Sequence, residues 1–246
     1  MTVIPIVALD VPTFDDALGL VHYLGDSCRF YKIGSELFTA TGPRIVAAIR
    51  EAGCRVFLDL KFHDIPNTVQ KAAASASRIG ASMITVHASG GEAMIRAAVT
   101  GSGADCQVFA VTVLTSLDPP SLTAAWGRPT PDIPLETVRL ATIAAKGSAA
   151  GVVCSGHEAP ILHAHFGRTL KLLVPGIRLP GSSTDDQVRT VTPERAAASG
   201  ASYIVLGRTV TKAPDPVVAM EAVVESLKSV VGETAEPNSF TSGAEP

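Results

Sequence analysis

Residues 55–68 read Arg55-Val56-Phe57-Leu58-Asp59-Leu60-Lys61-Phe62-His63-Asp64-Ile65-Pro66-Asn67-Thr68. The run 55–60 is short and largely apolar, as a buried strand is, and residues 68–79 have the apolar spacing of a helix. A strand that ends in charge and passes into a helix is one strand–helix unit, and the unit recurs in both directions. Upstream, the run 3–9 precedes a helix that starts in Pro12-Thr13-Phe14-Asp15-Asp16 and continues to Leu24. The run 29–33 precedes an apolar helical segment around 42–52. Downstream, the runs 82–86, 107–114, 151–154, 170–174 and 202–206 precede helical segments at 92–99, 135–146, 157–165, 193–199 and 214–231. A Pro-rich loop is expected before residue 135 and a polar loop before residue 193. Strands alternating with helices imply right-handed crossovers and a parallel sheet. Eight such units, with strands apolar on both faces, predict an α/β fold of the (β/α)8 TIM-barrel type in a single domain; an open doubly wound sheet is the rival. The barrel is expected over residues 1–231. The tail 232–246, rich in Glu, Pro, Ser, Thr and Gly, is expected to be disordered.

Composition narrows the function class. The chain has 246 residues, 46% hydrophobic and 17% charged, which is globular and excludes a disordered chain. Twenty Lys+Arg against 23 Asp+Glu leave a formal charge of −3. That balance speaks against nucleic-acid binding through bulk charge and leaves room for a local basic pocket. The apolar runs are too short for a membrane span, and Met1-Thr2-Val3-Ile4-Pro5 lacks the marks of a secretory signal. Cys28, Cys54, Cys106 and Cys154 include no pair at metal-ligand spacing, and a core of this size needs no disulfides. A reducing, cytoplasmic setting is the expectation.

A barrel places its chemistry at the C-terminal ends of the strands. The polar residues there are Asp10, Lys32, Asp59 with Lys61, His87, Thr115 with Ser116, Ser155, Arg178 and Arg208. Asp59 and Lys61 are two apart, so strand alternation puts both on one face. A lone D-x-K is most often a structural ion pair. Here Lys32 ends the neighbouring strand, and the order Lys32, Asp59, Lys61, Asp64 predicts an alternating charge network that holds Lys61 protonated. Gly207-Arg208 ends the eighth strand and Arg178 follows Gly176, and the seventh and eighth loops are where barrels often hold phosphate. The loop 180–190 is small and polar and reads on its own as a surface loop. His63 reads as a flanking or orienting group, His87 as a pocket-lining candidate and Trp126 as a packing anchor. His163 and His165, two apart on a helix, share no face and make no metal pair.

Six blocks carry a resemblance. Val7-Ala8-Leu9-Asp10, Tyr31-Lys32-Ile33-Gly34, the stretch Asp59 to Thr68, Val111-Thr112-Val113-Leu114-Thr115-Ser116, Val174-Pro175-Gly176-Ile177-Arg178 and Val205-Leu206-Gly207-Arg208 fall in order from the first strand to the eighth. Together they resemble the orotidine 5′-phosphate decarboxylase family in its bacterial form. The resemblance implies a homodimeric barrel that converts orotidine 5′-monophosphate to UMP and CO2, the last step of de novo pyrimidine synthesis, with no metal and no organic cofactor. It implies that Lys32, Asp59 and Lys61 form the catalytic network, that Lys61 gives the proton to C6, and that Asp64 and Thr68 reach the neighbouring subunit's site. Asp10, Lys32, Ile65 and Thr68 are implied in substrate binding, with Asp10 and Thr68 at the ribose hydroxyls. Thr115 and Ser116 are implied at the pyrimidine, and Pro175, Arg178, Gln187, Gly207 and Arg208 on the phosphate side. The loop 180–190 then becomes a mobile lid that carries Gln187. Thr209 departs from the pattern, since proline is expected after Gly-Arg. The nearest alternative is a barrel acting on 3-keto-sugar phosphates through a Mg2+-bound enediolate, which the Lys32 and Thr115-Ser116 blocks argue against. A non-catalytic nucleotide-binding barrel is the second alternative, and the intact acid–base set argues against it.

Overall fold

The computed structural model describes residues 2–127, 129, 132–179 and 190–233. Its strands are β1 (Ile4–Ala8), β2 (Phe30–Gly34), β3 (Arg55–Phe62), β4 (Met83–His87), β5 (Gln107–Val111), β6 (Gly151–Val153), β7 (Lys171–Val174) and β8 (Tyr203–Leu206). All pair in parallel with their sequence neighbours, and β1 pairs with β8 from Ile4↔Tyr203 to Val7↔Leu206. That last pairing closes the barrel and excludes the open sheet.

The strands are apolar on both faces because both faces are covered. Val7, Tyr31, Ile33, Leu58, Ile84, Val86, Leu172 and Leu206 face outward into a core shared with the helices. Ile6, Ala8, Phe30, Phe57, Met83, Phe109, Leu173, Tyr203 and Val205 fill the interior. Phe109 meets Tyr203 edge to face, with centroids 5.6 Å apart. Each such aromatic contact adds about 0.5–1.5 kcal/mol beyond burial alone. On β6, Gly151 supplies no inward side chain, since a Cβ there would run into the Phe109 ring and the Lys171 carbonyl. The interior is thus a packed plug, and it seals the barrel below the strand ends.

The helices are α1 (Phe14–Leu24), α2 (Ser35–Thr41), α3 (Arg44–Glu51), α4 (Pro66–Arg78), α5 (Gly91–Ser102), α6 (Pro119–Trp126), α7 (Ile133–Lys146), α8 (Ala159–Phe166), α9 (Pro193–Ala198), α10 (Arg208–Thr211) and α11 (Pro216–Glu233). α1 starts as expected, with the Thr13 hydroxyl accepting from the Asp16 N–H at 3.1 Å. Two differences have simple causes. The segment expected around 42–52 is α3, but a further helix, α2, precedes it: Gly42 at φ 61° ends α2 and turns the chain before Pro43. The Pro-rich loop contains α6: Asp118 caps it by accepting from Ser121 N–H at 2.9 Å, and the prolines occupy its first turn. No N–H is needed there, so proline starts this helix rather than breaking it. Trp126 packs against the outer core, and the four cysteines are buried free thiols. Most of the polar loop, residues 180–189 with Gln187, lies outside the described residues, as does the tail beyond Glu233.

Candidate active site

The interior changes character at the strand ends. Two residues beyond each apolar plug position, Ala8 gives way to Asp10, Phe30 to Lys32, Phe57 to Asp59, and Val205 to Gly207. A cavity of about 290 Å3 opens there. Asp10, Lys32, Asp59, Lys61, Thr115, Pro175, Arg178, Gly207 and Arg208 line it, with Phe57, Val111, Val153, Leu173 and Val205 as an apolar floor. A polar rim over an apolar floor is the usual make-up of a small-molecule site, and its cations suit an anionic ligand.

On one side the charges alternate. Asp10 Oδ1 lies 3.1 Å from Lys32 Nζ, Lys32 Nζ lies 3.7 Å from Asp59 Oδ2, and Lys61 Nζ donates to Asp59 Oδ1 at 2.9 Å. Asp59 has a side chain only 13% exposed, so both oxygens need partners, and both have them. Burial pushes its carboxyl up; the facing Lys32 and Lys61 ammoniums and the hydrogen bonds from Lys61 and Thr85 outweigh this and hold it below the usual carboxylate range. Asp59 is therefore an anion at neutral pH, fixed between two cations. Gly34, at the end of β2, leaves room for one of them: a methyl group there would sit 3.2 Å from Lys32 Nζ.

Simple alternation does not produce this pairing. The β3–β4 register shifts between Leu58 and Phe62, and Lys61 takes φ 51°, a left-handed conformation that a lysine rarely adopts. The displaced Lys61 N–H donates to Thr85 Oγ1 at 2.9 Å, and the same hydroxyl donates to Asp59 Oδ1 at 2.8 Å. Thr85, fully buried on β4, is a member of the site that the sequence reading missed.

Three members of the expected network, Lys32, Asp59 and Lys61, meet within the chain. Asp64 does not join Lys61 within the chain; it is exposed and its carboxylate accepts from the Ile65 N–H at 2.6 Å. Asp10 takes the fourth place. Ile65, 66% exposed, and Thr68, also exposed, stand away from the cavity on the segment that opens α4. Ser116 is not among the lining residues, although Thr115 is. His87 packs against His63, ring centroids 5.4 Å apart, instead of lining the cavity. Burial, then His63 and Lys61, push its imidazole down against the opposing pull of Asp59. Ser155 is turned away into a buried hydrogen bond with Glu158.

Across the cavity, the arginine loops are tied together. Arg178 N–H donates to the Val191 carbonyl at 2.9 Å and Val191 N–H donates to the Gly176 carbonyl at 3.2 Å, so the two ends of the 178–191 loop are pinned. Thr209 Oγ1 donates to the Ile177 carbonyl at 2.7 Å. The residue that replaces the expected proline thus joins the loop of Arg178 to the helix that Arg208 opens. His163 and His165 lie on α8, where His165 Nδ1 is 2.9 Å from the Ile161 carbonyl. No helix among the described residues is long and apolar enough to cross a membrane.

The chain is similar to known proteins. A protein named orotidine 5′-phosphate decarboxylase from Anaeromyxobacter sp. (strain K) is 46% identical over 220 residues, covering 89% of this chain and 96% of its own. Another of that name from Cutibacterium acnes is 46% identical over 224 residues, covering 89% and 94%. The crystal structure of orotidine 5′-phosphate decarboxylase from Lactobacillus acidophilus superposes with a TM-score of 0.82 at 35% identity, covering 92% of this chain and 99% of that one. The sequence profile of the Orotidine 5′-phosphate decarboxylase / HUMPS family matches residues 4–223. The match spans every strand and both sides of the cavity, and the chain belongs to that family.

Proposed function

We propose that the protein is a carboxy-lyase that converts orotidine 5′-monophosphate to UMP and CO2 in pyrimidine synthesis, without metal or organic cofactor, in the cytoplasm. The observation that carries this reading is the chain Asp10–Lys32–Asp59–Lys61 at one side of a barrel-mouth cavity whose other side holds Arg178 and Arg208. Residues 1–231 form the decarboxylase domain.

The chemical difficulty is charge at carbon. Loss of CO2 from C6 leaves an electron pair in the ring plane, where the π-system does not take it up. A fixed ammonium beside C6 stabilises that pair and then supplies the proton, which is the role of Lys61. Asp59 aims the Lys61 ammonium, and Lys32 helps keep Asp59 ionised. A carboxylate near the substrate's own carboxylate also raises the ground state, a smaller contribution in this account. Asp10 and Lys32 hold the ribose, Thr115 and Ser116 the pyrimidine. Pro175, Arg178, Gly207 and Arg208 hold the phosphate, and Gln187, which lies outside the described residues, is assigned to the same group. Phosphate binding far from C6 then supplies binding energy to the chemical step.

The site is completed across a homodimer. Asp64 and Thr68 are exposed and do not line their own chain's cavity, as residues that serve a neighbouring subunit's site are. The test is the ultraviolet absorbance change on orotidine monophosphate consumption, run with and without EDTA. The expected result is turnover unaffected by chelation. No consumption, or activity lost to EDTA and restored by Mg2+, overturns the reading in favour of enediolate chemistry.

A further inference from the structure

We propose that Thr85 is a positioning residue for the Asp59–Lys61 pair: its hydroxyl locks the left-handed turn of β3 to the carboxylate that aims the Lys61 ammonium. The inference rests on the reading of Lys61 as the proton donor. Thr85 is fully buried on the inner side of β4, two residues beyond the plug residue Met83. Around it the ladder is broken: between the pairs Leu58↔Ile84 and Phe62↔Val86 the chain takes four steps along β3 and two along β4. The excess backbone carries Lys61 at φ 51° and takes its N–H out of the ladder. A buried N–H without a partner is costly, and a left-handed lysine persists only where its surroundings over-determine it.

One hydroxyl meets both demands. It accepts from the Lys61 N–H at 2.9 Å, which directs its own proton to Asp59 Oδ1 at 2.8 Å. The same Oδ1 receives Lys61 Nζ at 2.9 Å. Lys61 is therefore held at its backbone directly and at its ammonium through Asp59, in one closed ring of hydrogen bonds. The bonds run N–H to O–H to carboxylate, so each polarises the next toward the anion. Asp59 is faced by Lys32 from β2 and Lys61 from its own strand. Asp10, just past the end of β1, stands behind Lys32, and His87 of β4 senses both Asp59 and Lys61. Thr85 adds the neutral donor to this set, and its loss weakens the ionised form of Asp59.

The experiment compares Thr85→Val, Thr85→Ser and Thr85→Ala with wild type and with Lys61→Ala, in steady-state decarboxylation across pH. Thr85→Val is expected to lower kcat by roughly ten- to a hundred-fold, as befits a lost hydrogen bond to a charged group, with KM changed by less than about threefold. The acid limb of its kcat profile moves to higher pH, because Asp59 takes up a proton more readily without this donor. Thr85→Ser restores kcat to within about fivefold of wild type and returns the acid limb. A Thr85→Val enzyme with wild-type kcat and an unmoved acid limb overturns the proposal. So does a Thr85→Ser enzyme as impaired as Thr85→Val, since the methyl packing would then be what matters. Should Thr85→Val fail to fold, Ser and Ala differ by the hydroxyl alone; equal kcat in those two overturns the proposal, and a tenfold or greater advantage for Ser supports it. Lys61→Ala separates the two levels. If it retains near-normal kcat, the reading of Lys61 itself falls; if it is inactive while Thr85→Val is normal, only the role of Thr85 falls.

Discussion

Replacing Lys32 by methionine removes a cation that touches two carboxylates at once, Asp10 at 3.1 Å and Asp59 at 3.7 Å. Lys32 and Asp59 have side chains only 12% and 13% exposed, so solvent screens their contact weakly. At an effective dielectric of about 20, unit charges 3.7 Å apart attract by about 4.5 kcal/mol. The variant is spared the desolvation of the ammonium, and Asp59 keeps Lys61 and Thr85. A net loss of about 2–3 kcal/mol at pH 7 follows, or a fall in Tm of about 5–10 °C for a chain of this size. The dependence on pH has a definite sign. Asp59 is held below its ordinary 3.8 in the folded protein, so the stabilisation is fully present above that value and is lost as pH falls through the lowered one. In the variant, Asp59 takes up its proton at a higher pH. The gap between the two proteins is therefore widest near neutrality and narrows through the carboxylate range. Thermal melts from pH 4 to 8, at one protein concentration, measure it. Equal melting temperatures at pH 7, or a gap that widens in acid, would refute the reasoning.

Arg208→Ala is expected to lower kcat/KM for the nucleotide by roughly a hundred-fold and to leave the phosphate-free nucleoside unaffected; an equal loss on both shows that Arg208 is not the phosphate anchor. Mixing inactive Lys61→Ala with inactive Asp64→Ala protein, with subunit exchange verified, is expected to restore about a quarter of wild-type activity, since half the dimers are hybrids with one intact site each. No recovery contradicts a shared site. His87 is held below its ordinary 6.5 by burial, then by His63 and Lys61, so its contribution is complete above that value and is lost as pH falls through the lowered one. His87→Gln is expected to flatten the decline in stability from pH 7 to pH 5, and parallel slopes in urea denaturation would remove His87 from the account.

The barrel was legible because each strand is buried on two faces and each helix on one, and that difference is written in the apolar spacing. α2 and α6 were not, because Gly42, which ends α2, and the Pro119-Pro120 pair, which starts α6, act through backbone geometry that spacing does not record. The rule that chemistry sits at strand ends found Asp10, Lys32, Asp59, Lys61, Thr115, Arg178 and Arg208, all of which line the cavity. It also selected Ser155, whose hydroxyl is held by Glu158, and His87, which stacks on His63. Position along a strand brings a residue to the mouth, and local partners then decide where its side chain goes. Thr85 escaped notice because a threonine within Met83–His87 looks like an ordinary strand former. The turn at Lys61 escaped because alternation carries no trace of a bulge.

The central claim is that Lys61 supplies the proton at C6. By microscopic reversibility, a lysine that gives that proton also removes it from the product. UMP incubated with the protein in D2O, followed by proton NMR, measures this directly. The account predicts that wild-type protein exchanges H6 for deuterium and that Lys61→Ala protein, with UMP still bound, does not. Exchange at the wild-type rate in Lys61→Ala would contradict it.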